Sequence, residues 1–195
     1  MKKSTIILLV FIILSVGIYF GINYFLDKDL EKQQQQLDDM IAEYGTIEKE
    51  NISTAVAKFN TEIMNAGLEN QAKEDANSTS EDKLYWYMIE DGIYCYVKPE
   101  EHTGDVENDI VHTISVYYEK ASNKQEKALE YFKLLIKSNK NDLTDEQITD
   151  LMNKAEELKE EKQKAMNGSG ILTGIAETED HIEYQVTRNY EQYQS

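Results

Sequence analysis

Residues 85–97 read YWYMIEDGIYCYV, two tyrosine-rich apolar runs on either side of Asp91-Gly92. Side chains alternate between the two faces of a β-strand, and an Asp-Gly pair between alternating runs is a strong short-range hairpin signal. The reason is steric: a type I′ turn requires positive φ at both central residues, which Asp and Gly tolerate. A two-residue loop fixes the register, with Ile89 opposite Tyr94, Tyr87 opposite Tyr96 and Tyr85 opposite Lys98. One face then carries Tyr85, Tyr87, Tyr94 and Tyr96. The other holds Leu84, Trp86, Met88, Ile93, Cys95 and Val97 and is the expected core side.

Working outward, the acidic loop 99–109 leads to a third strand over 110–119. Ser122–Gln125 and Thr144–Gln147 both have capping-box spacing, and each opens an amphipathic pattern. The first carries Ala128, Leu129, Phe132, Leu135 and Ile136; the second carries Ile148, Leu151, Met152, Ala155 and Leu158. The charged run EELKEEKQK that follows reads as a solvated helix end, stopped by Asn167-Gly-Ser-Gly170. Two more strands, 171–178 and 181–189, close the chain. Upstream, Ile52, Val56, Phe59, Ile63 and Ala66 mark one face of a helix over 47–66, with Gly67 as its stop. Residues 69–82 are polar and unpatterned, hence a surface loop.

The order α-β-β-β-α-α-β-β, with strands grouped in hairpins, indicates the α+β class: an antiparallel five-stranded sheet with helices on one face. The opposite face is left open. Tyr85, Tyr87, Tyr94, Tyr96 and Tyr117 are expected on it, as a candidate interaction surface. A tyrosine suits a wet sheet face, since its large apolar body ends in a hydroxyl that stays hydrated. Strand propensity and cross-strand pairing also enrich tyrosine here, without any need for a ligand.

Residues 6–26, IILLVFIILSVGIYFGINYFL, carry no charge and span about 30 Å as a helix, the thickness of a bilayer's hydrocarbon core. Lys2 and Lys3 precede the run and Asp27, Lys28 and Asp29 follow it, so residues 1–5 are assigned to the cytoplasm. The run outlasts the apolar part of a cleaved signal peptide, and residues 6–26 are read as a single-pass anchor in the lipid bilayer. Residues 27–44 continue as a polar, helix-friendly stalk. Leu30, Leu37 and Tyr44 recur at intervals of seven, enough to suggest weak homodimerisation through the stalk. Residues 45–195 form the extracytoplasmic domain.

Beyond the anchor lie all 37 acidic residues and 18 of the 20 basic ones, a formal charge of about −19. Such a surface repels phosphate backbones, which argues against nucleic-acid binding. With one cysteine no intrachain disulfide forms, and stability must come from burial. Cys95 with His112 is the one conceivable thiol–imidazole pair, but an apolar, acidic setting disfavours a thiolate. Glu100, Glu101, His102, Asp105, Glu107 and Asp109 cluster in one loop without the spacing of a known cation site. No phosphate-binding glycine loop, nucleophile elbow or zinc pattern occurs. No catalytic residue, cofactor or metal is assigned on this basis.

A composition heavy in Lys, Asn, Ile, Glu and Tyr, with one proline, suggests an AT-rich bacterium, and the expectation is a membrane-anchored, extracytoplasmic accessory or protein-interaction module of the bacterial envelope, without catalysis. Two other classes fit the sequence less closely: a small-ligand or cation sensor, and an inhibitor or immunity-type protein using its acidic surface.

Overall fold

The computed structural model describes residues 47–74 and 83–189, all within a unit that spans residues 43–195. The anchor assigned to 6–26 and the stalk assigned to 27–44 lie outside the described residues. Among the described residues no helix is long and apolar enough to cross a membrane.

Helix α1 runs Ile52–Asn65 and buries Ile52, Ala55, Val56, Phe59 and Ile63 along one stripe. It starts five residues later than the apolar periodicity suggests, because Asn51 caps it by accepting from the Thr54 N–H at 2.9 Å. Asn60 then anchors the chain beyond the helix. Its Oδ1 accepts from Ala72 N–H at 2.8 Å, and its Nδ2 donates to Ala72 C=O at 2.9 Å. That contact leads into β1 (Lys73–Glu74), followed by β2 (Tyr85–Glu90), β3 (Ile93–Pro99) and β4 (Val111–Glu119).

Helix α2 (Gln125–Asn139) does not begin with the capping box read at Ser122. Residues 120–122 form a 3-10 turn in which Ser122 Oγ donates to Glu119 C=O at 2.8 Å, and the helix instead starts from Lys124, which makes no side-chain cap bond. Helix α3 (Asp145–Glu157) has the expected box: Thr144 Oγ1 accepts from Gln147 N–H and Gln147 Oε1 from Thr144 N–H. The charged run after α3 is not a trailing helix end. Lys162 adopts φ +56 and the chain turns back, with Gln163 N–H donating to Leu158 C=O. This return delivers β5 (Ala165–Met166), then β6 (Ile171–Glu177) and β7 (His181–Arg188).

The fold is α+β, and the sheet has seven strands rather than five. All pairings are antiparallel, in the order β1-β2-β3-β4-β7-β6-β5. The two extra strands are two-residue edges, too short to leave a period-2 pattern in the sequence. One apolar core joins α1, α2 and α3 to the inner sheet face. Phe59, Ile63, Phe132, Leu135, Ile148 and Leu151 meet Cys95, Val97, Ile114, Val116, Ile175, Tyr184 and Val186 there.

The hairpin register differs by one residue from the sequence expectation. Tyr85 pairs with Val97, Trp86 with Tyr96, Tyr87 with Cys95 and Met88 with Tyr94, while Glu90 pairs with Ile93. Ile89 is the extra residue, a β-bulge. Of the two turn residues only Gly92 has positive φ (+75), so the type I′ turn assumed from Asp-Gly does not form. Tight packing helps to hold the turn: a Cβ on Gly92 would overlap Ser122, and Gly92 C=O accepts from Glu119 N–H at 2.9 Å. Because side chains alternate with period 2, one inserted residue exchanges the faces of every β2 residue before it.

Candidate functional site: the outer sheet face

The inserted residue decides which aromatics face away from the helices. On β3 and β4, Tyr94, Tyr96 and Tyr117 lie on the outer face as expected. Tyr85 and Tyr87 do not. Tyr87 is buried beside Cys95 in the core, where loss of hydration pushes its hydroxyl pKa up to about 12. Tyr85 packs against the core edge, stacks on His102 at 4.8 Å between centroids, and donates to Asp109 Oδ2 at 2.5 Å. Trp86 and Met88, expected in the core, take their places outside.

The outer face is ordered in cross-strand rows. One row holds Met88, Tyr94, Tyr117, Glu183 and Ala176; the next holds Trp86, Tyr96, Ser115, Gln185 and Gly174. Trp86 lies at their junction. Its ring is 5.0 Å from Tyr96, 5.6 Å from Tyr117 and 6.4 Å from Tyr94, with the last two edge-on. Tyr117 meets Tyr94 at 6.1 Å and stacks on His181 at 4.6 Å. Such offset and edge-to-face pairs contribute about 0.5–1.5 kcal/mol each beyond the area they bury.

A polar lattice fixes these rings. Tyr96 Oη donates to Glu183 Oε2 at 2.7 Å, and Gln185 Nε2 donates to the same oxygen at 2.9 Å. Burial, reinforced by the Glu183 carboxylate, holds the Tyr96 hydroxyl well above its usual pKa, so it stays a donor. His181 lies 3.4 Å from Glu183 Oε1 and 2.9 Å from Thr178 Oγ1. The result is an aromatic band, partly wet, in which the Tyr96 hydroxyl is oriented by the Glu183 carboxylate.

A third row has the opposite charge. Lys98 pairs across to Thr113, and Thr113 to Thr187. The stem of Lys164 crosses the face over Gly174, where a Cβ would stand 3.1 Å from Lys164 Cγ. Its ammonium donates to Thr187 Oγ1 at 2.6 Å, and the Thr187 and Thr113 hydroxyls are bonded at 3.0 Å. Burial, and then the charge of Lys98, lower the Lys164 pKa. Burial likewise lowers the His112 pKa, assisted by Lys164 and Lys98 and opposed by Glu100.

The other sites considered in the sequence are resolved by geometry. Cys95 is fully buried, with Tyr87 and Val116 opposite it in the ladder, and desolvation raises its thiol pKa strongly. His112 is not its partner: a register shift between Lys98 and Pro99 leaves it half-buried under the influence of the two lysines. Two of the carboxylates of loop 99–109, Asp105 and Asp109, are engaged in holding that loop. Buried Asp109 accepts from Thr103 N–H, Thr103 Oγ1 and Tyr85 Oη. Burial alone would raise its pKa, but the bonds from Thr103 and Tyr85 outweigh this and lower it. Asp105 accepts from Glu107 N–H and Asn108 Nδ2, and Glu100 pairs with Lys49 at 2.8 Å. Among the described residues no group of three or more His, Cys, Asp or Glu side chains could hold a metal ion.

The polar half of this face is visible in the sequence, where Glu183, Gln185 and Thr187 recur with period 2 in β7, but alternation alone does not find the rest. It missed Trp86 and Met88 through the inserted Ile89. It missed Lys164 because nothing local in EELKEEKQK announces a turn. Compared with known proteins, the chain matches no family model, no curated protein and no solved structure.

Proposed function

We propose that the chain is a non-catalytic binding module, held at the outer surface of a bacterial membrane by residues 6–26, whose outer sheet face docks a protein partner. The aromatic band of Trp86, Tyr94, Tyr96, Tyr117 and His181 carries this reading. Trp and Tyr are the residues that dominate binding energy in protein interfaces, because they bury large area at low conformational cost. Here they are assembled opposite all three described helices and beside Met88, which is 48% exposed. The hydrogen-bonded lattice around Glu183 supports a preformed surface, since little further side-chain ordering is needed on docking. The face asks for a partner with an apolar patch and, at the Lys98–Lys164 end, negative charge. The burial and raised pKa of Cys95 support a role without covalent chemistry.

A photo-crosslinking residue placed at Met88 or Tyr94 of the full chain tests this in cells, with Met64 as the reference. Met64 is also exposed (53%) but lies on helix α1. Partner adducts should form from positions 88 and 94 and not from 64. Equal adduct patterns from all three positions would refute the face as the docking surface.

A further inference from the structure

Lys164 is a half-buried ammonium with no carboxylate partner among the described residues, in a protein of net charge −17. Most described lysines stand within 4.0 Å of an Asp or Glu oxygen, as Lys49, Lys120, Lys127, Lys137, Lys154 and Lys159 do. Among the described residues Lys73, Lys83, Lys98 and Lys162 also lack such a partner but are exposed; only Lys164 is half-buried, and its ammonium reaches the row that holds Lys98. The contrast with the cleft of about 530 Å³ near α1 is instructive. There Arg188 Nη2 meets Glu50 Oε2 at 2.7 Å and Lys58 meets Glu50 Oε1, so that cleft already holds its own counter-charge.

Removing an unpaired charge from water is unfavourable, and side chains usually arrange a partner to offset it. Lys164 is instead fixed by a neutral hydroxyl: one of its three N–H groups goes to Thr187, backed by Thr113. Gly174 makes this possible, because its missing side chain is the channel for the lysine stem. Lys98 lies in the same row, and His112 senses both ammoniums. The carboxylate that acts against this on His112 is Glu100, which is held by Lys49. The aromatic rows begin one row away, about 7 Å along the strands, so one docked segment covers both.

We propose that Lys98, His112 and Lys164 form an oxyanion subsite of the outer face, taking a carboxylate or phosphate group presented by the docked protein. This rests on the reading of that face as a docking surface and names the chemistry its partner must bring. Lys164 supplies two N–H donors from a fixed position, Lys98 an adjustable second charge, and His112 a proton-dependent third contact.

The test uses the full chain in detergent micelles, following its three histidine rings by NMR across pH at constant ionic strength. Inorganic phosphate and acetate are the probes, each replacing chloride. The His112 pKa should rise saturably with at least one of them, with a dissociation constant tighter than about 10 mM, while His102 and His181 stay unmoved. A phosphate-only response assigns a phosphate group, and an acetate response assigns a carboxylate. Lys164→Gln should weaken binding about ten-fold. Gly174→Ala should weaken it while retaining every charge, by displacing the lysine stem. An unmoved His112 with both anions, or equal binding by Lys164→Gln, overturns the subsite. Crosslinking from positions 88 and 94 that survives such a result would leave the docking face standing without its anion anchor.

Discussion

Ile89 and Met88 are adjacent, and the bulge gives them opposite environments. Ile89 is 5% exposed and part of the core, whereas Met88 is 48% exposed on the outer face. Without the bulge their places would be exchanged. Ile89→Ala removes three carbons from a packed site, and such truncations cost about 2–5 kcal/mol through lost transfer energy and the cavity left behind. Its position beside the short edge strand β1, where neighbours can partly collapse, places the expectation near the lower end, about 2.5 kcal/mol. Met88→Ala, with half its surface in water and few packing partners, should cost no more than about 0.5–1 kcal/mol. For a domain of this size, each kcal/mol lowers Tm by about 2–4 °C, so the two variants should separate by roughly 3–8 °C. Urea unfolding followed by the emission of Trp86, the sole tryptophan, measures both costs with unchanged m-values. Equal costs, or a larger one for Met88→Ala, would refute the register and return Trp86 and Met88 to the core.

Two further outcomes are expected. Cys95 should resist alkylation at neutral pH in the folded protein and react only on unfolding, because its thiol is buried and its pKa raised; fast labelling under native conditions would contradict this. Tyr85→Phe should destabilise the domain by about 1–3 kcal/mol at neutral pH, since a buried carboxylate loses a charged hydrogen bond. Asp109 has a lowered folded pKa, so its contribution is present above the ordinary carboxylate pKa and is lost as pH falls through the folded value. The difference between Tyr85→Phe and the parent should therefore shrink toward acid pH, and a pH-independent difference in urea midpoints would contradict the role given to Asp109.

The legibility of the chain follows the range of the forces involved. Period-2 and period-3.6 patterns are local, and they gave the α+β class, the inner faces of β6 and β7, and the stripe of α1. Thr144 was legible as a cap because its partner lies three residues away. Ser122 was not, since it lies in a 3-10 turn packed against Gly92 and the helix starts only after Lys124. Asp91-Gly92 announced the hairpin correctly, but its turn type is set by tertiary contact, and with it the face of every residue in β2. Tyr94, Tyr96 and Tyr117 survived as outer-face residues because the bulge lies outside β3 and β4. The two-residue strands and the return of Lys164 depend on pairing between distant segments, for which no short window holds information.

Those two-residue strands also restrict how another chain can approach. A sheet that ends in a long unpaired strand invites a neighbour to continue its ladder, in binding as in aggregation. Here β1 offers only Lys73 and Glu74, both exposed and charged, and β5 only Ala165 and Met166. Neither is long enough to template a further strand. On the proposed docking face a partner would therefore be read by side chains across a broad surface rather than by a backbone ladder, and among the described residues the edge strands give copies of this domain little backbone through which to polymerise.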